Sequence, residues 1–160
     1  MDKVDYYLNI AEVVSQKSTC LQKHWGAVIV KNNVIVSTGY NGAPRKIVSC
    51  QERGTCFRTN STRGTDYSSC LAVHSEQNAI IFGNREDMKD ATLYLVGLQP
   101  DTSTEDDTQW KYVEHPAPCS LCKRMIINAG IKKVVVRINE GAYQEFNPGY
   151  WEINDITGGY

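Results

Sequence analysis

The chain contains the stretch Gly26-Ala-Val-Ile-Val-Lys-Asn-Asn-Val-Ile-Val-Ser-Thr38, in which two apolar, β-branched runs flank a short polar segment. The runs Gly26–Val30 and Val34–Thr38 have the composition of strands, and Lys31-Asn-Asn33 between them is typical of a tight turn. We therefore predict a β-hairpin at this point of the chain.

The segments that follow and precede this hairpin alternate between helical and strand patterns. Helices are predicted at Val4–Ser18, His74–Phe82 and Cys119–Ala129. The short apolar runs Ala91–Val96 and Ile131–Val136 predict further strands. Gly130 follows the third helix at the position where glycine commonly ends one. This alternation predicts an α/β domain built around one mixed sheet.

Three segments lack a clear pattern. Residues 39–69 are rich in Gly, Thr, Ser and Arg, and an irregular stretch of this length needs something that holds it in place. Residues 97–116 are polar and locally acidic, and we predict that they form an exposed loop or flap. The tail from Gly141 onward is aromatic and rich in glycine, and its structure is left unassigned.

Length and charge limit the class of protein. The chain has 160 residues, which predicts a single domain over residues 1–160. Its 17 basic and 18 acidic residues give a net charge of −1, so a large basic surface for nucleic acid is not expected. We find no signal peptide and no apolar run of about 20 residues, and therefore expect no membrane association and a cytoplasmic location. In a reducing compartment, six cysteines indicate metal ligands or buried thiols rather than disulfides.

The strongest chemical signal is His74-Ser-Glu76 combined with Pro118-Cys-Ser-Leu-Cys122. Cys119 and Cys122 are three positions apart at the start of a helix, so both thiols face the same side and the helix dipole favours their thiolates. With His74 they supply three zinc ligands, which leaves the fourth tetrahedral position open for a water whose pKa the metal lowers to about 7. Glu76 is placed to act as the general acid and base near that water. The alternative is a purely structural zinc site with a solvated Glu76.

The remaining cysteines are Cys20, Cys50, Cys56 and Cys70. Four thiolates around Zn²⁺ would form a closed structural site that anchors the irregular stretch. Two alternatives remain open at this point, namely buried free thiols and a disulfide between Cys56 and Cys70.

The pairing of H-x-E with P-C-x-x-C is the signature of zinc nucleobase deaminases, and the chain resembles the deoxycytidylate (dCMP) deaminase family of the cytidine deaminase-like superfamily. The matching blocks are Ser18–Cys20, Gly26–Val30, Ser37–Pro44, Val73–Ile80, Pro118–Cys122 and Ile126–Ile131. The resemblance implies a three-layer α/β/α sandwich with a five-stranded mixed sheet. It also implies zinc-dependent deamination of dCMP to dUMP and ammonia.

The same resemblance implies roles for individual residues. Asn41 corresponds to a sugar contact, the backbone at Ser75 to a contact with the base carbonyl, and Arg85 to an arginine of nucleotide binding and subunit contacts. Some members carry a structural zinc with cysteines at the positions of Cys20 and Cys50. Homo-oligomers, often hexamers, are typical, as are activation by dCTP and inhibition by dTTP.

Two further sites are predicted from residue chemistry. The planar guanidinium of Arg45 suits phosphate oxygens, so Arg45 is the first candidate for a phosphate contact, with a solvated surface arginine as the alternative. The acidic cluster between Asp101 and Asp107 suggests Mg²⁺ bound with a triphosphate effector, against the simpler reading of a solvated loop. Other substrates of the same zinc chemistry are a tRNA adenosine and a pterin or riboflavin precursor.

Overall fold

The computed structural model describes residues 1–58, 67–106 and 108–158. The helices of this part are α1 (Lys3–Ser15), α2 (Cys50–Arg53), α3 (Ser75–Phe82), α4 (Arg85–Met88), α5 (Ser120–Ala129) and α6 (Ile153–Ile156). The strands are β1 (His24–Lys31), β2 (Val34–Tyr40), β3 (Thr92–Pro100), β4 (Trp110–Tyr112), β5 (Lys133–Asn139) and β6 (Ala142–Phe146). The prediction of a single domain over residues 1–160 stays a prediction.

The strands form one mixed sheet in the order β2-β1-β3-β5-β6. The pair β3/β5 is parallel, whereas β1/β2, β1/β3 and β5/β6 are antiparallel. The five strands in this order agree with the predicted five-stranded mixed sheet. A short sixth strand, β4, pairs with the end of β3 and was not predicted.

The strands β1, β3 and β5 are buried on both faces, which places helices on both sides of the sheet. On one face, Ile29 and Leu95 belong to a core with Ala79 of α3 and Ile126 of α5. On the other face, the alternate strand residues join Leu8 of α1 in a second core. Because successive strand side chains point to opposite faces, one apolar run serves both cores. The three-layer α/β/α sandwich is confirmed.

The hairpin between β1 and β2 has the predicted position. Asn32 and Asn33 both adopt left-handed backbone conformations, with φ angles of 51° and 66°. This is the geometry of the two-residue turn that matches the twist of a hairpin, and asparagine tolerates it better than most residues do.

The contact between β2 and α3 is unusually close at Gly39. A Cβ atom at this position would lie 2.3 Å from the Ser75 carbonyl oxygen and 2.4 Å from the Ala79 nitrogen. These two atoms belong to the first turns of α3. Gly39 therefore permits the strand backbone to lie directly against the helix that follows His74.

The prediction of an exposed loop over residues 97–116 was partly wrong. Strand β3 continues to Pro100, and β4 returns alongside it in an antiparallel pairing of Pro100 with Trp110. The Trp110 ring stacks on His24 of β1 at a centroid distance of 4.0 Å. The polar composition of the intervening turn concealed these short strand ends.

The tail beyond Gly141 forms β6, a 3₁₀ turn at Pro148–Tyr150 and the short helix α6. The Trp151 ring packs near Phe146, with centroids 6.4 Å apart. Trp151 also adjoins the core that contains α3 and α5. The aromatic residues of this segment thus attach it to the body of the fold.

Candidate active site

His74, Cys119 and Cys122 lie together although they are far apart in the sequence. The Nδ1 atom of His74 is 3.4 Å from the Sγ atom of Cys119 and 3.4 Å from that of Cys122. His74 is the residue immediately before α3, and Cys119 is the residue immediately before α5. Two helix N-termini thus converge on one point, where their dipoles favour negatively charged sulfur.

The electrostatics of this cluster favour a thiolate. The hydrogen bond from Cys122 and the imidazole of His74 lower the pKa of the Cys119 thiol to about 4, against the opposing effect of burial. The same bond to Cys119, together with burial, raises the pKa of Cys122. Burial lowers the pKa of His74, but its bond with Cys119 and the charge of Glu76 outweigh this, so the pKa of His74 is raised. A bound cation would displace the proton that the two thiols share.

The donor set and its dimensions fit zinc. One imidazole nitrogen and two sulfurs are preferred zinc ligands, and these ligand atoms lie within 4.8 Å of one another. With Zn–N near 2.0 Å and Zn–S near 2.3 Å, a tetrahedral ion would hold its nitrogen and sulfur ligands about 3.5 Å apart. The observed 3.4 Å agrees with this spacing.

Glu76 is a buried carboxylic acid beside this cluster, with 5% of its surface exposed. Its Oε2 accepts a hydrogen bond of 3.0 Å from the Ser75 hydroxyl. Burial raises the pKa of Glu76, and the neighbouring His74 opposes this only in part. A carboxyl group whose pKa is raised in this way holds a proton more readily, and it can both accept and return one during a reaction.

A cavity of about 860 Å³ is lined by His74, Glu76 and Cys119. Asn41 and Ser75, for which the sequence predicts substrate contacts, belong to its wall as well. The volume falls in the range of about 300–1,000 Å³ that is typical of small-molecule sites. Two of the three candidate metal ligands, His74 and Cys119, thus face a space that is large enough for a nucleotide.

Residues 97–116, which were predicted to form a loop, and the unassigned tail beyond Gly141 also contribute side chains to the cavity wall. Gln99 lines it from the end of β3 and Thr102 from the β3–β4 connection, and Asn154 and Thr157 line it from the C-terminal tail. No periodic pattern in the sequence identified these residues, because they lie at a strand end, in a turn and in or beside a four-residue helix, whose positions depend on the whole fold.

Asn41 has a defined orientation in the wall. Its Oδ1 accepts a hydrogen bond of 2.8 Å from the Trp25 backbone N–H, and its Nδ2 donates one of 2.9 Å to the Lys23 carbonyl. The side chain is 7% exposed. Each end of the amide therefore retains one further hydrogen-bonding position for a ligand.

The two predicted arginine contacts lie outside the cavity wall. The Arg45 guanidinium lies 4.6 Å from the centre of the Phe82 ring. Arg85 is exposed at the start of α4. Among the described residues of the wall, the lysine and arginine side chains are those of Lys23, Arg58 and Lys123. Neither Arg58 nor Lys123 was predicted from the sequence to contact the substrate.

The other four cysteines lie in one region, close enough for the charges of three of them to act on Cys50. Among the described residues, however, only His74, Cys119 and Cys122 form a group of three whose ligand atoms lie within 4.8 Å of one another. Burial raises the pKa of the Cys50 thiol, an N–H from Phe57 opposes this, and the charges of Cys56, Cys20 and Cys70 raise it further. The Cys20 sulfur accepts an N–H from Gln22 and the Cys56 sulfur one from Arg58, each at 3.4 Å. No disulfide joins Cys56 and Cys70, so that alternative is wrong in this structure.

Two carboxylates of the acidic loop, those of Asp101 and Asp106, have hydrogen-bond partners within the loop. Asp101 accepts bonds from the Ser103 backbone and hydroxyl at 3.0 and 2.6 Å. Asp106 accepts a 3.0 Å bond from the backbone N–H of Thr108. Asp107 lies outside the described residues.

None of the helices in the described ranges combines the length and the apolar composition that a membrane span requires.

Comparison with known proteins agrees with this site. Residues 1–138 match the family described as the cytidine and deoxycytidylate deaminase zinc-binding region. The deoxycytidylate deaminase of Mycobacterium phage D29 is 36% identical over 138 residues, which cover 82% of this chain and 91% of that protein. The Schizosaccharomyces pombe enzyme is 34% identical over 81% of this chain, but the match spans only 35% of its length.

A solved structure shares the fold. The dCMP deaminase of the cyanophage S-TIM5, in complex with dCMP and dUMP, matches with a TM-score of 0.55 and 28% identity over 86% of this chain and 83% of that one. The same enzyme in its apo form gives a TM-score of 0.55 and 25% identity. The family match, the phage relative and the shared fold all agree with the presence of the His/Cys/Cys cluster. The chain therefore belongs to the cytidine and deoxycytidylate deaminase zinc-binding family.

Proposed function

We propose that the chain is a zinc-dependent hydrolase that converts dCMP to dUMP and ammonia. The observation that carries this proposal is the buried Glu76 beside a His/Cys/Cys cluster at the wall of a nucleotide-sized cavity. The relatives named deoxycytidylate deaminase and the S-TIM5 complex with dCMP and dUMP support the choice of substrate. No described feature favours a tRNA adenosine or a pterin or riboflavin precursor over dCMP.

The reaction replaces the exocyclic amine at C4 of cytosine by the oxygen of water, so one C–N bond breaks, one C–O bond forms and ammonia leaves. His74, Cys119 and Cys122 would hold the zinc, which when bound supplies the Lewis acidity that makes water nucleophilic near neutral pH. Glu76 would accept the proton of the water and pass it to the ring nitrogen N3. The same carboxyl group would then protonate the leaving amine.

We propose that Asn41 and Ser75 orient the substrate, Asn41 through its remaining amide positions and Ser75 through its backbone. Their positions in the cavity wall support these roles. Arg85 is exposed and outside the wall, which supports a role in subunit contacts rather than a contact with the substrate of its own chain. For Arg45 the single chain offers no support for the predicted phosphate contact.

We propose a second, structural zinc held by Cys20, Cys50, Cys56 and Cys70. The electrostatic influence of Cys20, Cys56 and Cys70 on the Cys50 thiol, which indicates that the four lie in one region, supports it. The N–H groups that point at the sulfurs of Cys20 and Cys56 would stabilise thiolate ligands. Zinc analysis of the purified chain should give two ions per chain, and one ion per chain would contradict this proposal. Mg²⁺ with a triphosphate effector stays a prediction.

We propose that the chain forms a homo-oligomer, with a hexamer as the expected size. Ile47, Val48, Ile81 and Phe82 expose between 52% and 61% of their surface. The contact of Arg45 with Phe82 places the loop before α2 beside the end of α3, so these side chains belong to neighbouring surfaces. Apolar surface of this kind is typical of interaction sites. Light scattering of the purified protein tests the assembly, and a monomer would contradict it. The cytoplasmic location and regulation by dCTP and dTTP stay predictions.

The test of the catalytic proposal is Glu76→Gln assayed with dCMP. Removing a positioned acid/base should lower kcat by about 10²–10⁴-fold while the zinc content stays unchanged. Glu86→Gln, which changes an exposed glutamate on α4, is the matched control and should have the activity of the original chain. Cys119→Ser should lose the catalytic zinc together with activity. Undiminished turnover by Glu76→Gln, or no release of dUMP from dCMP by the unmodified chain, would refute the proposal.

A further inference from the structure

The described cations in the cavity wall differ in how they are held. Lys123 has its ammonium 5.3 Å from the centre of the Trp151 ring, which is a cation–π contact. Lys23 and Arg58 follow closely after Cys20 and Cys56, so both enter the wall from the cluster of the four cysteines. Arg58 is the only arginine among the described residues of the wall.

The backbone at Arg58 is fixed to the four-cysteine cluster by consecutive contacts. The Arg58 N–H donates to the Cys56 sulfur at 3.4 Å, and the Phe57 N–H donates to the Cys50 thiol. The Phe57 ring lies 3.5 Å from the Arg53 guanidinium. Because three adjacent residues are held in this way, the guanidinium of Arg58 extends from an anchored base and not from a free loop.

Arg58 and the candidate catalytic residues line one cavity. His74, Glu76 and Cys119 belong to the same wall as Arg58. A nucleotide whose base contacts His74 and Glu76 carries a dianionic phosphate at its other end. We expect that phosphate to bind a cation of the same wall. The planar fork of an arginine can form two parallel hydrogen bonds with phosphate oxygens, which the ammonium of a lysine cannot.

We infer that Arg58 is the specificity-determining residue that distinguishes a 5′-monophosphate from the unphosphorylated nucleoside, and that the four-cysteine cluster positions it. The inference rests on the proposed function and names a substrate contact within that site. It also gives the second cysteine cluster a role in substrate selection. Arg45, the candidate from the sequence, would have no part in phosphate binding.

The experiment compares dCMP with deoxycytidine for Arg58→Gln, Arg58→Lys and the control Arg124→Gln. Arg124 is exposed on α5 and outside the cavity wall. Charge-assisted hydrogen bonds of this kind predict a fall in kcat/KM for dCMP of roughly 10- to 150-fold in Arg58→Gln. The kcat/KM for deoxycytidine should change less than about threefold. Arg58→Lys should recover part of the preference for dCMP, and Arg124→Gln should keep all of it.

Binding provides a second readout that does not depend on turnover. Calorimetry with dUMP and deoxyuridine should show weaker binding of dUMP alone in Arg58→Gln. Equal losses for both ligands would overturn the inference, as would a selective loss in Arg45→Gln in place of Arg58→Gln. If the unmodified chain binds dUMP but does not deaminate dCMP, the proposed reaction fails while the role of Arg58 is still decided by these affinities.

The positioning role is tested with Cys56→Ser and with Arg53→Gln, which removes the contact on Phe57 without changing a thiol. Cys56→Ser should bind one zinc ion fewer per chain and should weaken dUMP binding more than deoxyuridine binding. Arg53→Gln should also lower the ratio of dUMP affinity to deoxyuridine affinity, but by a smaller factor. It serves as the deciding variant if Cys56→Ser does not fold. An unchanged ratio in the folded variants would refute the positioning role.

Discussion

Substitution of Gly39 by alanine should damage the active site through the backbone of α3. The added Cβ would lie 2.3 Å from the Ser75 carbonyl oxygen and 2.4 Å from the Ala79 nitrogen, where ordinary contacts are no shorter than about 3.4 Å. Strand and helix must therefore separate by about 1 Å. Neither neighbouring atom belongs to a flexible side chain, so the strain cannot be relieved by a rotamer change.

This displacement affects both stability and activity. Overpacking of a buried contact costs about 1–3 kcal/mol in the free energy of unfolding. The helix that moves begins directly after His74 and carries Glu76 in its first turn. Because a displacement of about 1 Å can lower catalysis about 10²-fold, we expect Gly39→Ala to lose most of its kcat on dCMP even where it remains folded.

The measurements are urea unfolding, zinc content and steady-state kinetics with dCMP, with Gly83→Ala as the matched control. Gly83 ends the same helix, but its added Cβ would meet the terminal methyl of Met88 at 2.1 Å. Methionine can move its flexible end, so this variant should lose less stability and keep its activity. If Gly39→Ala unfolds within about 0.5 kcal/mol of the original chain and retains its kcat, the close contact has no functional consequence and the reasoning is wrong.

Two further predictions concern the face of the sheet that α1 covers. Arg137 is 3% exposed, and its guanidinium bonds Asp5 and Asn9 at 2.8 Å each. Asp5→Ala should therefore lower the free energy of unfolding by about 3–5 kcal/mol in urea melts, with a smaller loss in Asp5→Asn, and a loss below about 1 kcal/mol in Asp5→Ala would contradict this. Tyr112 donates a 2.8 Å hydrogen bond to Glu12, and burial together with this bond raises its pKa to about 12. Tyr112→Phe should lower the free energy of unfolding by about 1 kcal/mol below pH 10 in urea melts. The difference between the variant and the original chain should narrow between pH 10 and 12, because the phenol of the unfolded chain ionises at a lower pH than that of the folded chain. A difference that does not change with pH would contradict the assignment.

The parts of the fold that could be predicted are those with a regular period. The β1–β2 hairpin, the central strands and the third helix with its Gly130 cap are encoded by neighbouring residues, so a local pattern suffices. The helix boundaries were less accurate: His74 and Cys119 precede their helices instead of beginning them. This difference matters for the site, because residues at that position lie at the open N-terminus of the helix.

The missed features depend on contacts that no local pattern encodes. Strand β4 has three residues and is specified by pairing with β3, while its ring contact with His24 joins residues far apart in the chain. Arg58 lies in the cavity wall two residues after Cys56, whose sulfur accepts the Arg58 N–H. The sequence places these two residues close together, but it does not show that Arg58 faces the same cavity as His74.

The amide of Asn41 holds the backbone of Lys23 and Trp25 in addition to facing the cavity. Aspartate in its place would set a carboxylate oxygen against the Lys23 carbonyl, and leucine would leave the Trp25 N–H without an acceptor. Selection thus acts on this position through folding as well as through any ligand. Among descendants of this protein, asparagine should persist here even in lineages that have exchanged one substrate for another.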